Sequence, residues 1–476
     1  MNRLRCLASM ILCIVYSPGC TAQQTATGNL QTETRPIAFL GAEGFGKYST
    51  GGRGGRVFIV DNLYDNGPGS LRDAVEAKGK KMVVFAVSGT IHLTTKLVIK
   101  ADVTISGQTA PGDGICLADQ PVMLGGDNII IRYLRFRMGD KYQRGGMVDG
   151  NGGDDALGGT RRKNIMVDHC SVSWSTDELF SVYAGDSTTL QWNLLAEPLN
   201  YSYHFETGDK DYEHHGYGAI WGGKHSSFHH NLFAHCNSRT PRFDGIRNAP
   251  EENADFRNNV IYNWGHNNVY AGEGGTYNII NNYYKPGPDT KPEVKQRIAN
   301  PWSKPPSIAF GKYYITGNYV LGSPASSTDN WKAVVIEKGT EENKAAAAAA
   351  KPFPVEEVIT QDAEGAYELV LMHAGASYQR DTLDNRVIDD VRHGKGRFID
   401  VQGGYAHGTP YEQTLSAWPF LKSLPAPADT DKDGIPDEWE KKNKLNPADA
   451  NDGAAFTLHK QFTNLELYIS SLVKTF

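Results

Sequence analysis

The feature that most constrains the fold is a type of short run that recurs between about residues 80 and 320. Each run is rich in β-branched and aromatic residues, has the length of a strand and is bounded by Gly, Asn or Asp, as in NIIIRYLRFRMG, NIMVDHCSVSW and TLQWNLLAE. Repetition of this kind predicts a solenoid, in which each coil is stable only when it is stacked on its neighbours.

Several of these runs carry an asparagine near the middle, namely Asn193, Asn231, Asn259, Asn282 and Asn318. Asparagine tolerates a left-handed backbone, and its amide can form ladders between stacked strands. We therefore predict an all-β fold, a right-handed parallel β-helix, with these asparagines in bends and in a ladder. A β-sandwich or a propeller is the alternative, but either should show more regular hairpin turns such as Asn-Gly.

The first residues have the pattern of an export signal. Residues 1–20 contain Arg3 and Arg5, then an apolar run too short to span a membrane, then small residues. Cys20 follows a glycine, which is typical of the lipid-attachment site of bacterial lipoproteins, and simple cleavage after Ala22 is the alternative. We expect an exported protein, either a cell-surface or outer-membrane lipoprotein or a secreted or periplasmic protein.

The rest of the chain is predicted to contain three parts. Residues 21–36 are polar and suggest a flexible tether, and residues 37–425 would form the β-helix with its outer loops and helices. Two outer helices are expected, one in the alanine-rich stretch before Pro352 and one in RDTLDNRVIDDVRHGKG, which Gly394 would end. A Pro/Ala hinge then precedes residues 426–476, a small C-terminal calcium-binding module with a loop and helices.

Charge and cysteine content exclude some classes of function. The formal net charge is −6 and no broad basic surface is indicated, so a nucleic acid partner is not expected. Beyond the signal region, Cys116, Cys170 and Cys236 are an odd number of cysteines without close spacing, which indicates buried thiols rather than zinc ligands. No later segment is apolar enough to cross a membrane, and we expect a monomer.

The stretch DTDKDGIPDEWE has the spacing of a complete calcium loop. Its acidic residues occupy loop positions one, three, five, nine and twelve, and they are Asp429, Asp431, Asp433, Asp437 and Glu440. Ca²⁺ prefers several oxygen ligands from one tight turn, so we predict a structural calcium site; a solvated acidic loop is the alternative. Since PAPA rather than a helix precedes the loop, it is similar to a thrombospondin type-3 calcium repeat.

A second group of acidic residues follows the strand-like runs on two successive coils, and its candidate metal ligands are Asp154, Asp155, Asp177 and Glu178. Side chains on adjacent coils lie about 4.8 Å apart when the coils stack. Carboxylates at that distance repel each other unless a cation bridges them. A Ca²⁺ site on one face of the solenoid is therefore predicted.

The stretch SRTPRFDGIRN brings three arginines together in a chain of net negative charge. Arg239 and Arg242 flank a proline, and Arg247 follows closely. A guanidinium group suits the recognition of carboxylates. The stretch therefore indicates a site for an acidic substrate next to the calcium site, although solvated arginines on a turn would give the same pattern.

Five blocks occur in a characteristic order: GFGKYSTGGRGGRVFIVDNLYDNGPGSLRDAV, VSGTI, TISGQTAPG, VDHCSVSW and SRTPR. In this order they resemble the pectate lyase family of polysaccharide lyases, the pectate lyase C-like group, over roughly residues 37 to 325. The resemblance implies a right-handed parallel β-helix and calcium-dependent β-elimination of polygalacturonate, an acidic polysaccharide.

The resemblance also implies roles for individual residues. Arg239 matches the proposed base of the family, and an alkaline optimum would be expected because arginine hardly loses its proton in water. The second arginine of the family falls at Asp244, so Arg242 or Arg247 would have to hold the substrate carboxylate.

Other family positions are altered. A family lysine aligns near Tyr217, which leaves Lys224 or His215 to compensate in substrate binding. The calcium aspartates match Asp155 and Asp177 (or Glu178), and a further one falls at Ser181.

Two other functions remain open at this stage. A polygalacturonase-type hydrolase on the same solenoid would need paired aspartates at about 5 to 9.5 Å, for which Asp154 and Asp155 are candidates. A non-catalytic glycan-binding protein could also use this fold.

Overall fold

The computed structural model describes residues 35–143, 155–202, 204 and 215–473. The predicted signal peptide, Cys20, Ala22 and the tether up to residue 34 lie outside the described residues, as does Asp154. From Pro36 on, the described residues form one compact unit. In the part of the chain that the structure describes, none of the helices combines the length and the apolar character needed to span a membrane.

Three parallel sheets make up the body of the molecule. The ten-stranded sheet contains β1 (Arg56–Val60), β2 (Lys81–Phe85), β5 (Val103–Ser106), β8 (Ile129–Arg132), β11 (Lys163–Asp168), β14 (Asp186–Gln191), β17 (Lys224–His229), β20 (Asn253–Arg257), β23 (Thr276–Ile280) and β26 (Lys312–Thr316). The nine-stranded sheet contains β3 (Gly89–His92), β6 (Ile115–Ala118), β9 (Leu134–Arg137), β12 (Ser171–Ser173), β15 (Leu194–Ala196), β18 (Leu232–Ala234), β21 (Val260–Tyr262), β24 (Tyr283–Lys285) and β27 (Tyr319–Val320). The eight-stranded sheet contains β4 (Leu97–Ile99), β7 (Val122–Leu124), β10 (Leu157–Thr160), β13 (Phe180–Tyr183), β16 (Ile220–Trp221), β19 (Arg242–Phe243), β22 (Val269–Ala271) and β25 (Ala299–Pro301).

The helices are short; α1 lies between β1 and β2 in the chain, and the others follow β27. They are α1 (Leu71–Glu76), α2 (Pro324–Thr328), α3 (Glu341–Ala347), α4 (Ala363–His373), α5 (Thr382–His393), α6 (Asp437–Asn443) and α7 (Asn464–Ser471). The predicted alanine-rich helix is confirmed as α3, and the predicted amphipathic helix as α5. Gly394 ends α5 with a left-handed backbone at φ 70°, as predicted.

Strands β1 and β2 pair with each other, and from β2 on successive strands belong to different sheets, so that every third strand pairs in parallel with its equivalent on the next coil. Strand β11 pairs with β14, and β14 pairs with β17. The inward column of the ten-stranded sheet aligns Leu190, Phe228 and Phe256, all of which are fully buried. The right-handed parallel β-helix is thereby confirmed, with one continuous apolar core inside the coils.

The predicted asparagine ladder is confirmed. The side-chain Nδ2 of Asn231 donates to Oδ1 of Asn259 at 3.0 Å, and the backbone N–H of Asn231 donates to the same oxygen at 2.9 Å. The same pair of bonds joins the other rungs, which run from Asn193 through Asn282 to Asn318.

The predicted position of the bend was wrong by one residue. The left-handed backbone lies at the residue before each ladder asparagine, for example Trp192 at φ 56°, His230 at φ 55° and Asn258 at φ 53°. The bend has to come first because it turns the following amide toward the interior, where it can reach the next coil. Trp192 and His230 consequently stack outside the coil, with ring centroids 4.1 Å apart.

The C-terminal segment packs on the outside of the first coils. Leu465, Tyr468 and Ile469 of α7 contact Met82 and Val84 of β2 in one buried cluster. The boundary predicted at residue 425 therefore lies between two parts of one compact unit.

The remaining cysteines behave as predicted. Cys116, Cys170 and Cys236 are buried and form no disulfide. Burial raises the pKa of Cys116 to about 12, so its thiol stays protonated and apolar.

Candidate active site

Four of the residues predicted for the site lie where successive coils enter the eight-stranded sheet. Asp155 precedes β10, Glu178 precedes β13, Tyr217 precedes β16 and Arg239 precedes β19. Isolated bridges pair Glu178 with Tyr217, and Tyr217 with Ser238, so these segments lie directly above one another. The β-helix thus converts positions far apart in sequence into one column of side chains.

Three carboxylates form the acidic part of this column. Asp155, Asp177 and Glu178 each offer one oxygen, and these oxygens all lie within 4.8 Å of one another. The backbone N–H of Glu178 donates to Oδ1 of Asp155 at 3.1 Å, which ties the two coils together. Since Ca²⁺ takes several carboxylate oxygens, this donor set fits the predicted ion; the fourth predicted ligand, Asp154, lies outside the described residues.

Histidines contact the same acidic cluster from the loop that follows β15. Nε2 of His215 lies 2.7 Å from Oδ1 of Asp177, and Nε2 of His204 lies 3.9 Å from its Oδ2. Burial acts to raise the pKa of Asp177, but the hydrogen bond and charge of His215 outweigh it and hold that pKa below its usual value. Asp177 is therefore ionised near neutral pH, and His215 contacts a candidate metal ligand rather than an open surface.

Arg239 lies beside the acidic cluster. Its guanidinium forms an ion pair with Glu178 and lies 4.2 Å from the centroid of the Tyr217 ring, a cation–π contact. Tyr217 pairs with Ser238, and Ile220 pairs with Arg242. The segment from Ser238 to Arg242 is therefore one residue longer than the segment from Tyr217 to Ile220, with which it pairs. Arg239 lies in this bulge with φ 61°, and bulges commonly redirect a side chain toward a site.

The structure places Arg242 in different surroundings from Arg239. Nη2 of Arg242 donates to Oε1 of Glu273 at 3.1 Å, and Nη1 donates to the carbonyl oxygen of Phe243 at 2.8 Å. Only 7% of its side chain is exposed. The predicted role of Arg242, a guanidinium open to a substrate carboxylate, conflicts with this buried pairing, because Glu273 already neutralises the charge. Glu273 carried no signal in the sequence.

Arg247 is the more accessible of the two candidates for substrate binding. A third of its side chain is exposed, its contacts with the carboxylates of Asp244 and Glu273 are long, at 3.7 Å each, and its Nε donates to the carbonyl oxygen of Asp244 at 3.2 Å. Lys224 belongs instead to the ten-stranded sheet, where it is exposed and pairs with Glu251 at 2.7 Å. The prediction that Lys224 compensates for the altered lysine position conflicts with this placement.

The predicted calcium loop places three of its acids together. Asp429, Asp431 and Asp433 each offer an oxygen, and these lie within 4.8 Å of one another. Gly434 has φ 91°, a backbone that its place in the loop requires and that side chains disfavour. Asp437 instead accepts hydrogen bonds from the backbone and hydroxyl of Thr430, both at 2.8 Å, and lies outside this group of three.

Comparison with known proteins places these features in a family. The chain is 34% identical to a probable pectate lyase C of Aspergillus fumigatus over 93% of this chain and 95% of that protein. It is 32% identical to a probable pectate lyase C of Emericella nidulans, over 93% of this chain and 94% of that protein. No protein-family model matches the chain.

Among solved structures, a pectate lyase of Bacillus sp. N165 in complex with trigalacturonate is 17% identical, with a TM-score of 0.47, covering 70% of this chain and 98% of that one. Identity to the curated relatives extends over nearly the whole of both chains, including the segments that carry the acidic cluster and Arg239. The chain therefore belongs to the pectate lyase family.

Proposed function

We propose that this enzyme cleaves polygalacturonate by calcium-assisted β-elimination on the outer face of the eight-stranded sheet. The observation that carries the proposal is the convergence of Asp155, Asp177 and Glu178 with Arg239 in one column. The cluster supplies oxygen ligands for Ca²⁺, and the arginine is the group that accepts a proton. The 34% identity to a probable pectate lyase C over 93% of the chain supports the same reaction.

The chemistry accounts for these residue types. The proton on C5 of a galacturonate is α to a carboxylate; when it is removed, its electron pair forms a C4–C5 double bond and the C4–oxygen bond breaks. Bound Ca²⁺ would supply a positive charge that neutralises the substrate carboxylate and so stabilises the charge that develops in the transition state. In this proposal Arg239 accepts the C5 proton.

The surroundings of Arg239 hold its guanidinium in a defined orientation. The ring of Tyr217 supports its guanidinium from one side, which restricts its orientation. Glu178 both pairs with Arg239 and belongs to the candidate calcium ligands, so metal binding and the charge of Arg239 are linked through one carboxylate. The exposed Arg247 is the candidate that holds a neighbouring carboxylate of the polyanionic substrate.

An absorbance assay on polygalacturonate tests the proposal. Elimination leaves a C4–C5 double bond conjugated to the carboxylate, which absorbs in the ultraviolet, whereas hydrolysis does not. We expect a signal with Ca²⁺ that a chelator removes, and a loss of at least about 1,000-fold in kcat for Arg239→Ala if it is the base. Lys224→Ala, an exposed cation on another sheet, is the matched control and should keep full activity.

The outcomes separate the alternatives. New reducing ends without absorbance would show a hydrolase. Neither signal on a panel of uronate polymers would show a binding protein, and an unaffected Arg239→Ala variant would remove Arg239 from the mechanism.

We also propose that the protein is exported, on the strength of its N-terminal sequence alone. Cys20 would carry a lipid anchor. Cell fractionation of wild type and Cys20→Ala tests this proposal, because the variant should move from the membrane fraction to the soluble exported fraction. Full-length protein retained inside the cell would contradict it.

The loop that contains Asp429, Asp431 and Asp433 is proposed as a second, structural calcium site. Its oxygens fit Ca²⁺, because Oδ2 of Asp431 and Oδ2 of Asp433 are buried without a hydrogen-bond partner among the described residues.

A further inference from the structure

Glu440 is a fully buried acid at the edge of the calcium loop. Its exposed fraction is 0%, and neither of its carboxylate oxygens has a hydrogen-bond partner among the described residues. A buried carboxylate without a partner is costly, and proteins satisfy such groups with cations or hydrogen bonds. The buried carboxylate of Glu440 therefore indicates a bound cation.

A second segment approaches this acid from beyond α6. One oxygen each of Asp433, Glu440 and Asp452 lie within 4.8 Å of one another. Oδ1 of Asp452 is also buried and unpartnered within the described part of the chain. A Cβ atom on Gly453 would lie 2.2 Å from Oδ2 of Asp433, so the backbone there is pressed against the loop as closely as glycine permits.

We propose that Asp452 is a calcium ligand, which completes a site with Asp433 and Glu440. In this site Asp452 takes the place that the loop pattern assigns to Asp437, whose carboxylate binds Thr430 instead. Three carboxylates without a cation would repel one another, and a hard divalent ion neutralises them with the oxygen ligands that it prefers.

The bound ion would also fix α7. The backbone carbonyl of Asp452 accepts a hydrogen bond from Nδ2 of Asn464 at 2.8 Å, and the carbonyl of Gly453 accepts from Leu465 N at 3.0 Å. The same helix packs on β2 of the β-helix and pairs Glu466 with Arg53 at 2.8 Å. Calcium at Asp452 would therefore link the loop to the segment before α7, and α7 in turn packs against the first coils.

Thermal unfolding of the full-length chain, with Ca²⁺ and with chelator, tests this role. Asp452→Asn removes one repelling charge but keeps an oxygen that can accept from the backbone N–H of Asn446, as Asp452 does at 2.9 Å. We expect the variant to melt at or above the wild-type temperature in chelator and below it in Ca²⁺. A purely structural aspartate would instead lower the melting temperature equally in both conditions, which would overturn the proposal.

Direct binding is measured with Tb³⁺, whose luminescence Trp439 would sensitise from the position next to Glu440. Displacement by Ca²⁺ gives the affinity, and Trp439→Phe shows which part of the signal arises at this site. We expect Asp452→Asn and Glu440→Gln to weaken binding at least tenfold and Asp437→Asn to change it less than threefold. Loss of binding in Asp437→Asn, with binding retained in Asp452→Asn, would contradict the proposal, as would the absence of any Trp439-dependent signal.

Discussion

At the scale of single residues, Tyr217 shows how the site accommodates an altered position. The family resemblance places a lysine near this point, whereas the structure places an aromatic ring 4.2 Å from the guanidinium of Arg239. The ring also lies 3.8 Å, between centroids, from that of His215. At this position an aromatic ring restricts the orientation of the neighbouring guanidinium.

A pair of substitutions at this residue tests the role of the ring. Tyr217→Phe keeps the cation–π contact and should retain most of the activity. Tyr217→Ala removes a contact that is worth about 0.5 to 2 kcal/mol, which corresponds to a loss of about 2- to 30-fold in kcat/KM on polygalacturonate. Equal losses in the two variants would assign the role to the hydroxyl group instead.

At the scale of elements, the asparagine ladder replaces main-chain pairing at the bends between the ten-stranded and nine-stranded sheets. Asn259 accepts from Asn231 and donates both to Asn282 and to the carbonyl oxygen of Phe228. All of these groups are buried. The ladder therefore satisfies polar backbone groups that water cannot reach.

Truncation of one rung should be costly. Asn259→Ala leaves several buried donors and acceptors unpaired at about 1 to 3 kcal/mol each, so we expect a loss of at least about 3 kcal/mol in the free energy of unfolding. Denaturant titration measures this loss. Asn385→Ala, on the exposed face of α5, is the matched control and should stay within about 0.5 kcal/mol. Similar values for both variants would show that the ladder contributes no stability.

A buried ion network attaches α5 to the nine-stranded sheet. Arg137 of β9 pairs with Asp381 and Asp384 at the start of α5, and its side chain is fully buried. The apolar face of α5 covers the same sheet through Leu383, Val387, Ile388 and Val391. Burial opposes ionisation of Asp381, but the charge of Arg137 is stronger and holds its pKa below the usual value.

Removal of the cation should destabilise the protein. Arg137→Met removes the cation that Asp381 and Asp384 share and leaves Asp381 paired with Arg135 alone, so we expect a loss of about 3 to 5 kcal/mol at pH 7. Because the folded-state pKa of Asp381 is depressed, this contribution is present above its unfolded value of 3.8 and disappears as the pH falls below it. Unfolding titrations at pH 7 and pH 3 measure it, with the exposed Arg392→Met as control. A loss that does not depend on pH would contradict the ionic account.

At the scale of the whole molecule, the C-terminal segment covers the outer face of β1 and β2. Burial, followed by the repulsion of neighbouring carboxylates, raises the pKa of Asp433 to about 7 and that of Glu440 to about 7. Raised folded-state pKa values mean that the metal-free protein loses stability as the pH rises from about 4 to 7. Bound Ca²⁺ would reverse this loss.

The stabilising effect of calcium should therefore depend on pH. At 100 times its Kd, Ca²⁺ adds about 2.7 kcal/mol, and the effect should be larger at pH 8, where both acids are ionised, than at pH 5.5. The difference in Tm with and without Ca²⁺ at each pH measures it, and Asp452→Asn, in which binding at this site is weakened, should show a smaller difference at pH 8. An equal or larger shift at pH 5.5 would contradict the linkage.

Periodicity, asparagine spacing and short motifs were sufficient to predict the β-helix, the asparagine ladder, α3 and α5. These features depend on local composition and on repetition, both of which are visible along one chain. The neighbours of each side chain are set by coil stacking, which joins residues that are 20 to 40 positions apart.

Coil stacking pairs Glu273 with Arg242, places Lys224 on the ten-stranded sheet and brings the ring of Tyr217 against Arg239, and none of these contacts is apparent in the sequence. The tertiary structure also decided that Asp452 reaches the calcium loop. The residue types and the order of the motifs, which can be read from the sequence, indicate carboxylate ligands for calcium and arginines for an acidic substrate. Which charged side chains pair, and which carboxylates can bind one ion, depend on distances of a few ångströms between residues on separate coils. These distances exist only once the coils have stacked.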